Sequence, residues 1–346
     1  MNSSFRHIFL SAVFFSAFRF RAVQGRVRAL ALRFFEARGG GRRAHSFRFC
    51  LALSVCLVCL AEAAPCRAGV SVVDDSGKRI SLASPAGRII PLYAGLSEIL
   101  RAMGLETTIV ARTAADESLA ASLPVIGTHM RPNVEVISAL APDLVVQFEG
   151  RSEAGLAAQM LEKQGLVVAR FKIASFADFF SCLERLGVLT GSEDAAGALA
   201  ASYRQRLDAL KARKPEGWRG PKVFFEVRYP NLLGAGGGNM VSDVIAAAGG
   251  SNCLGEHAER MVRLGEEVLL ATDPDVYLMQ QGPMNKSPVP LDERPAYCGL
   301  RSLRTGFVRV VPESVYSRPG PGSIQAAEEL SALFIQWYDK RDGAKP

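Results

Sequence analysis

Two glutamates occupy equivalent points of a sequence unit that occurs twice in the chain. Glu135 stands seven residues before the pair Pro142-Asp143, and Glu267 stands seven residues before Pro274-Asp275. An apolar run follows each Pro-Asp pair, so each unit predicts a short helix that ends at a proline and leads into a buried strand. The repeat therefore predicts two similar lobes, each of which offers one glutamate from the start of its helix.

A second group of side chains is suited to holding a ligand. Ligands of open α/β lobes lie beyond the carboxyl ends of the strands. The loops predicted there mix aromatic, methionine, arginine and amide side chains, which suits a large, partly flat and partly anionic molecule. The candidate ligand-binding residues are Tyr93, His129, Met130, Arg131, Phe148, Arg151, Arg228, Tyr229, Gln280 and Arg318.

Two kinds of contact can be assigned within this group. The arginines could pair with carboxylate or phosphate groups of the ligand, and some could instead form surface or internal ion pairs. The neutral imidazole of His129, or a tyrosine phenolate, could ligate iron or cobalt above a bound macrocycle. An ordinary hydrogen-bonded side chain is the alternative for His129, and both interpretations stay open. Apart from this axial position, no residue is expected to ligate a metal directly.

Enzymatic chemistry is not expected from this sequence. The motifs G-x-S-x-G and H-E-x-x-H are absent, and the candidate loops offer no evident acid–base pair. Beyond residue 63 only His129 and His257 remain, too few for a three-histidine zinc or manganese site. The glycine run from Gly234 to Gly238 lacks the Lys-Ser/Thr of a phosphate-binding loop, so we interpret it as a flexible approach loop or a turn.

The sequence pattern of residues 1–63 predicts a secretory leader. They carry 10 of the 41 basic residues and 2 of the 34 acidic ones, so the rest of the chain is nearly neutral and gives no electrostatic case for a nucleic-acid partner. A basic stretch, the apolar run 49–60 and the small-x-small site at 61–63 form the layout of a signal peptide. The apolar run is too short to cross a bilayer comfortably.

Four cysteines follow this leader, namely Cys66, Cys182, Cys253 and Cys298. They are widely spaced and form no C-x-x-C pair, which argues against a zinc or redox site. In an oxidising compartment some could pair, and the sequence does not choose the connectivity. Lipid anchoring at Cys66 is an alternative that we do not expect, because Pro65 stands where the attachment signal needs a small residue.

The remaining pattern predicts an N-terminal α/β lobe over 70–174. We expect a β-hairpin at 70–82, strands at 88–93, from Thr108, at 144–148 and at 167–171, and a helix at 98–103 capped by Ser97. Strands that alternate with helices predict a parallel sheet.

A helical region is expected over 175–213 and a C-terminal α/β lobe over 221–338. One helix covers 175–189, and Ser192 is expected to cap a second helix of about 30 Å, long enough to bridge two domains. The second lobe has strands at 222–227, 276–279 and 308–311 and helices at 240–248 and 323–337. The predicted fold class is α/β, with two Rossmann-like lobes joined by one long rigid helix and limited closure on a ligand.

Several motifs, taken in order, resemble a known family across about 70–338. They are Val-Val-Asp-Asp-Ser-Gly-Lys-Arg-Ile at 72–80, Arg-Ile-Ile-Pro-Leu-Tyr at 88–93, Asn133-Val-Glu135 before Ala141-Pro-Asp-Leu, the glycine-bounded stretch 236–250, and Ser317-Arg-Pro-Gly-Pro321. The chain resembles the periplasmic substrate-binding proteins of ABC importers that carry ferric siderophores, haem and cobalamin, the class with a helical backbone.

The resemblance implies a function and partners. One glutamate of each lobe would seat in arginine pockets of the permease, and by position these are Glu135 and Glu267, with Glu266 as an alternative to Glu267. The chain is expected to be a periplasmic monomer without an intrinsic cofactor. It would capture an iron or cobalt chelate between its lobes and deliver it to a permease dimer with its ATPase.

One departure from the family pattern and two alternative functions accompany this assignment. The tryptophans frequent in the family's ligand loops are absent here, since Trp218 and Trp337 lie elsewhere, so a direct copy of cobalamin recognition is not expected. A periplasmic sensor or accessory protein without a transporter is one alternative, and a two-lobed α/β enzyme is another.

Overall fold

A computed structural model describes residues 69–149 and 152–342. The expected leader over 1–63, Cys66 and Arg151 lie outside the described residues, so the interpretations made for them stay predictions. The described chain opens with the predicted hairpin, in which β1 (Val70–Val73) pairs antiparallel with β2 (Arg79–Leu82). The buried Asp74 carboxylate closes the turn by accepting hydrogen bonds from the backbone amides of Ser76 and Lys78.

The first lobe contains a parallel sheet, as predicted, but it has three strands instead of the four expected from the sequence. Their order is β3 (Ile89–Pro91), β4 (Leu144–Phe148) and β5 (Val168–Phe171). All five residues of β4 are buried, as expected for the central strand of a parallel sheet. The helices of this lobe are α1 (Ala94–Ala102), α2 (Val134–Ala139) and α3 (Ser152–Lys163).

The prediction that Ser97 caps a helix starting at Glu98 was wrong. The helix α1 begins at Ala94 with Tyr93 as its N-cap, and Ser97 lies inside it as a buried residue. Ala94 and Gly95 have so little side chain that the first turn can form directly at the end of β3, against the other lobe. The Ser97 hydroxyl finds no hydrogen-bond partner among the described residues.

The strand expected from Thr108 is also not formed. Glu106–Thr108 is a single 3-10 turn, and Ile109 makes only an isolated parallel bridge with Ile89. The Thr108 hydroxyl donates to the Leu105 carbonyl at 2.7 Å, a local hydrogen bond that favours a turn over strand pairing.

Two consecutive helices follow the first sheet. In α4 (Phe176–Thr190) the Ser175 hydroxyl accepts a hydrogen bond from the Asp178 amide at 3.1 Å, and Gly191 ends the helix with a φ of 63°. The next helix, α5 (Glu193–Ala212), has the predicted length of 20 residues. Ser192 is its N-cap by position, but its hydroxyl makes no capping hydrogen bond, so that detail of the prediction was wrong.

The second lobe contains a mixed sheet in the order β11-β10-β6-β7-β9, with β8 paired to β6. Its strands are β6 (Lys222–Arg228), β7 (Leu233–Ala235), β8 (Ser251–Asn252), β9 (Met261–Arg263), β10 (Val276–Gln281) and β11 (Val308–Pro312). Its helices are α6 (Met240–Ala248), α7 (Glu266–Thr272), α8 (Arg301–Thr305), α9 (Glu313–Tyr316) and α10 (Gly322–Asp342). Strands β11, β10 and β6 run parallel, whereas β7 is antiparallel to both of its neighbours.

The glycine run is not a flexible approach loop. Leu233–Ala235 forms strand β7, and the following glycines make a turn on which the segment 255–260 lies directly. A Cβ atom on Gly236 would overlap the carbonyl oxygen of Glu259, and one on Gly238 would overlap that of Ala258. The glycines are therefore required for close backbone packing rather than for mobility.

The helices between and after the sheets share a core with both of them. Helix α5 contacts α4, which precedes it, and also α6 and α10 of the second lobe. One cluster of buried residues contains Phe179 of α4, Tyr203 of α5, Val244 of α6 and Phe334 of α10. The fold is thus the predicted α/β class with two lobes, and the boundaries proposed for the lobes stay a prediction.

Within residues 69–149 and 152–342, no helix has both the length and the apolar composition required to cross a membrane.

Candidate functional site

Three of the predicted ligand-binding residues converge at the carboxyl end of the first sheet. Tyr93 follows β3, Phe148 ends β4, and His129 precedes α2. The Tyr93 ring centroid lies 5.1 Å from that of Phe148 and 5.9 Å from that of His129, the latter in a T-shaped arrangement. Because β3 and β4 are parallel, their last residues meet at one edge of the sheet, which explains the convergence.

An arginine from the second lobe completes this cluster. The Arg260 guanidinium carbon lies 4.9 Å from the centroid of the Phe148 ring, within cation–π distance. The Arg260 carbonyl accepts hydrogen bonds from the Gly236 amide and the Asn239 side chain, at 3.2 and 3.1 Å. The glycine turn thereby fixes the backbone from which Arg260 reaches the first lobe.

Arg260 is not among the candidate ligand-binding residues predicted from the sequence. A signal for it exists in the repeated unit, because Arg260 precedes Glu267 by seven residues and His129 precedes Glu135 by six. The two side chains thus hold comparable positions in the two lobes, and in the structure they contribute to the same cluster through Tyr93 and Phe148. We define Tyr93, His129, Phe148 and Arg260 as the cleft cluster.

Arg318 joins the two lobes by ion pairs. Its Nη1 atom lies 2.8 Å from Glu98 Oε1 in the first lobe, and its Nη2 atom lies 2.9 Å from Glu313 Oε2 in the second. Burial opposes the charge of the guanidinium, but Glu313 and Glu98 more than offset that effect and raise the pKa of Arg318. Burial also dominates at Glu98, where it raises the pKa of the carboxyl despite the hydrogen bond from Arg318.

The backbones of the two lobes approach closely beside this ion pair. A Cβ atom on Gly95 would overlap the carbonyl oxygen of Pro319, which follows Arg318. Arg318 is therefore half-buried at a contact between lobes, and both of its described ion-pair partners are protein carboxylates. Its role as a direct ligand contact stays a prediction.

Arg228 and Tyr229 lie at the end of β6 in the second lobe. Tyr229 is half-buried, and its ring stacks on Arg294, whose guanidinium carbon lies 3.8 Å from the ring centroid. The Nε atom of Arg228 is buried, and no hydrogen-bond partner for it occurs among the described residues.

The other predicted ligand-binding residues are not part of the cleft cluster. The Gln280 side chain is buried and accepts a hydrogen bond from the Ser317 hydroxyl. Met130 is half-buried, and Arg131 is exposed, with its amide donating to the Thr128 hydroxyl at 3.1 Å.

The two predicted docking glutamates are both exposed residues in the first turn of a helix. In α2 the Asn133 side chain, not Glu135, accepts the capping hydrogen bond, from the Val136 amide at 3.1 Å. Glu135 is therefore not needed as a cap. In α7, Glu267 is exposed, whereas Glu266 is half-buried and accepts a hydrogen bond from the Tyr297 hydroxyl at 3.3 Å. The contacts favour Glu267 over Glu266 as the side chain available to a partner.

Neither a metal cluster nor a disulfide occurs in the part of the chain that the structure describes. No group of three His, Cys, Asp or Glu side chains there could hold a metal ion. Cys182, Cys253 and Cys298 are free thiols, and they are buried, half-buried and exposed respectively. Burial raises the pKa of Cys253 to about 12, so its thiol is protonated at neutral pH.

The chain matches a family model and known proteins over most of its length. The model described as "Periplasmic binding protein" matches residues 89–315. An uncharacterized ABC transporter substrate-binding lipoprotein of Bacillus subtilis (strain 168), YvrC, is 24% identical over 269 residues, which cover 76% of this chain and 84% of that protein. The vitamin B12-binding protein of Vibrio cholerae serotype O1 is 21% identical over 248 residues, which cover 71% of this chain and 88% of that protein.

A solved structure has the same fold. The periplasmic heme-binding protein RhuT from Roseiflexus sp. RS-1, in its apo form, matches with a TM-score of 0.63 and 24% identity. The match covers 73% of this chain and 99% of that one. At this identity the likeness concerns the fold.

Proposed function

The chain belongs to the periplasmic binding protein family, and we propose that it captures a metal chelate between its two lobes for an ABC importer. Proteins of this family are solute carriers that work outside the cytoplasm, not enzymes. The observation that carries the proposal is the cleft cluster, because aromatic rings from one lobe meet a cation from the other there.

The chemistry of the cleft cluster suits a flat or ring-bearing anionic chelate. Tyr93 and Phe148 offer ring faces and edges, and Arg260 offers a positive charge over one of the rings. Arg228 ends β6 and would offer a further positive charge. We keep haem, cobalamin and a ferric siderophore as the ligand classes, with His129 or Tyr93 as the residue that would reach a bound metal.

Delivery would use the two exposed glutamates. Glu135 and Glu267 begin helices in different lobes, so two arginine pockets on a permease dimer could fix the orientation of the docked protein. We propose that the mature protein is a periplasmic monomer, exported by the leader over 1–63, and that an ATPase drives the permease. The lobes would cover 70–174 and 221–338, joined by the helical region 175–213.

Titration of the purified protein tests the ligand proposal. We would express the chain from Ala64 and follow its intrinsic fluorescence on addition of haemin, cyanocobalamin, a ferric hydroxamate and a ferric catecholate. Quenching by one of them at micromolar concentration is the expected result. The Arg260→Met variant should weaken that binding, whereas Arg213→Met, which changes an exposed arginine after α5, should not. Absence of quenching by all four compounds would count against the proposal.

A further inference from the structure

A buried ion pair lies inside the second lobe. Glu226 in the middle of β6 is fully buried, and Arg294 is 2% exposed. Two hydrogen bonds join their side chains, Nη1 to Oε2 at 2.5 Å and Nη2 to Oε1 at 3.0 Å. The Tyr277 hydroxyl donates to Glu226 Oε2 at 2.6 Å, and the Asn285 amide donates to Oε1 at 3.4 Å. A buried pair of this kind persists only when its charges are matched and its lone pairs are satisfied.

The same arginine contacts two tyrosines from different segments. Its guanidinium carbon lies 3.8 Å from the ring centroid of Tyr229 and 5.4 Å from that of Tyr297. The two rings also meet edge to face, with centroids 6.0 Å apart. Because the fork of Arg294 is fixed by Glu226, the plane on which Tyr229 stacks is fixed as well.

Tyr297 continues the set of contacts to the start of α7. Its hydroxyl donates to Glu266 Oε1 at 3.3 Å, and Glu266 is the neighbour of the exposed Glu267. Burial, with Glu266 as the next cause, raises the pKa of Tyr297, so its hydroxyl keeps the proton that it donates. The contacts thus run from the loop after β6, through Arg294 and Tyr297, to the docking helix.

We propose that Arg294 is a positioning residue that holds Tyr229 and helix α7 in one fixed relationship. The roles of Tyr229 and Glu267 rest on the proposed function, whereas the contacts themselves do not. Two docking contacts can orient a protein on its partner only if their separation is constant. Helix α7 has only seven residues, and its N-cap, Gly265, offers no side chain that could fix its start. The ion pair with Glu226, acting through Arg294 and Tyr297, therefore keeps the position of α7 constant in the second lobe.

The proposal can be tested without a ligand or a transporter. Nitroxide labels would be attached at Glu135→Cys and Glu267→Cys in the chain from Ala64, with Cys66, Cys253 and Cys298 changed to Ser and the buried Cys182 retained. Pulsed electron–electron double resonance spectroscopy then gives the distribution of distances between the two labels. Tyr297→Phe removes one hydroxyl and keeps the ring. We expect it to widen the distribution about twofold, because a short helix with one anchor fewer samples more orientations.

A matched control separates positioning from general loosening. Tyr316→Phe removes another half-buried tyrosine–carboxylate bond of the same lobe, from Tyr316 to Glu329 at 2.7 Å, and should leave the width unchanged. Equal widening in both variants, or none in Tyr297→Phe, would overturn the proposal.

Fluorine NMR tests the other half of the proposal. With 3-fluorotyrosine at position 229, Arg294→Lys should shift and broaden the resonance because the ammonium cannot reproduce the stacked plane. Tyr316→Phe should leave this resonance in place. An unchanged resonance in a folded Arg294→Lys variant would contradict the role assigned to Arg294.

Discussion

Arg318 Nη1 lies 2.8 Å from Glu98 Oε1, and this bond joins residues 220 positions apart in the two lobes. The guanidinium also pairs with Glu313, so one cation serves two carboxylates at a half-buried site. The site consequently carries excess negative charge when both carboxyls are ionised. Burial is the main cause of the raised pKa of Glu98, with Glu313 a smaller one, and this raised pKa makes the contact between lobes sensitive to pH.

Stability should therefore respond to the protonation of Glu98. Its pKa is raised above the ordinary value of 4.5, so the folded protein binds this proton more tightly than the unfolded chain does. The contribution to the free energy of unfolding is full below pH 4.5 and is lost as the pH rises through the folded-state pKa. We expect the melting temperature of the wild type, relative to Glu98→Gln, to rise as the pH falls from neutral toward 4.5. Parallel melting curves across this window would contradict the assignment.

Charge reversal at the exposed glutamates should separate docking from ligand binding. For Glu135→Lys and Glu267→Lys we expect delivery to a reconstituted permease to fall at least about tenfold, because each lysine would face an arginine pocket. Affinity for the chelate that quenches fluorescence should stay unchanged, since both side chains begin helices on the exterior. Glu216→Lys, a charge reversal at an exposed glutamate in the loop after α5, is the matched control and should leave delivery unchanged. A loss of chelate binding in the charge-reversed variants would contradict the assignment of Glu135 and Glu267 to permease docking.

The cleft cluster predicts graded effects on ligand affinity. Removing the cation with Arg260→Met should weaken binding by about tenfold, corresponding to about 1.4 kcal/mol. The affinity of Arg260→Lys for the chelate should lie between that of the wild type and that of Arg260→Met, because lysine keeps the charge without the planar fork. Fluorescence titration with the quenching chelate measures all three. Equal affinities would show that Arg260 does not face the ligand.

The Glu226–Arg294 pair predicts strong non-additivity in stability. Either single change, Glu226→Gln or Arg294→Met, should lower the free energy of unfolding by about 3–5 kcal/mol, because it leaves a buried charge without its partner. The double variant should recover a large part of that loss. Urea unfolding curves of the four proteins provide the measurement. Additive losses would mean that the two side chains do not interact as the structure describes.

Local signals in the sequence predicted most of the elements correctly. Strand β4 and helix α6 were found because an apolar run, interrupted only by Gln147, marks the former and Gly249, with a φ of 97°, ends the latter. The strand expected from Thr108 was wrong because a local hydrogen bond to Leu105 favours a turn, whereas the error at Ser97 arises from a contact with a distant segment. Ser97 has every property of a cap, yet the approach of Pro319 to Gly95 allows the helix to begin one turn earlier.

The site was predictable only in part for the same reason. Tyr93, His129 and Phe148 follow from the rule that ligands lie at the carboxyl ends of parallel strands, and the structure does bring these side chains together. No pattern in the sequence indicates that Arg318 pairs with Glu98, and the repeated unit marks the position of Arg260 without showing that its side chain reaches Phe148. Both depend on the packing of segments that are far apart in the chain.

The close approach at Gly95 ties one position of α1 to the spacing between the lobes. With no side chain at residue 95, the first turn of α1 rests directly on the backbone at Pro319. A Cβ atom there would overlap the Pro319 carbonyl oxygen and contact the Tyr93 ring, so one of these neighbours would have to shift. We therefore expect a larger residue at position 95 to increase the distance between α1 and the backbone at Pro319. Gly95→Ala and Gly95→Ser would be the first changes to make in adapting this scaffold to a bulkier chelate.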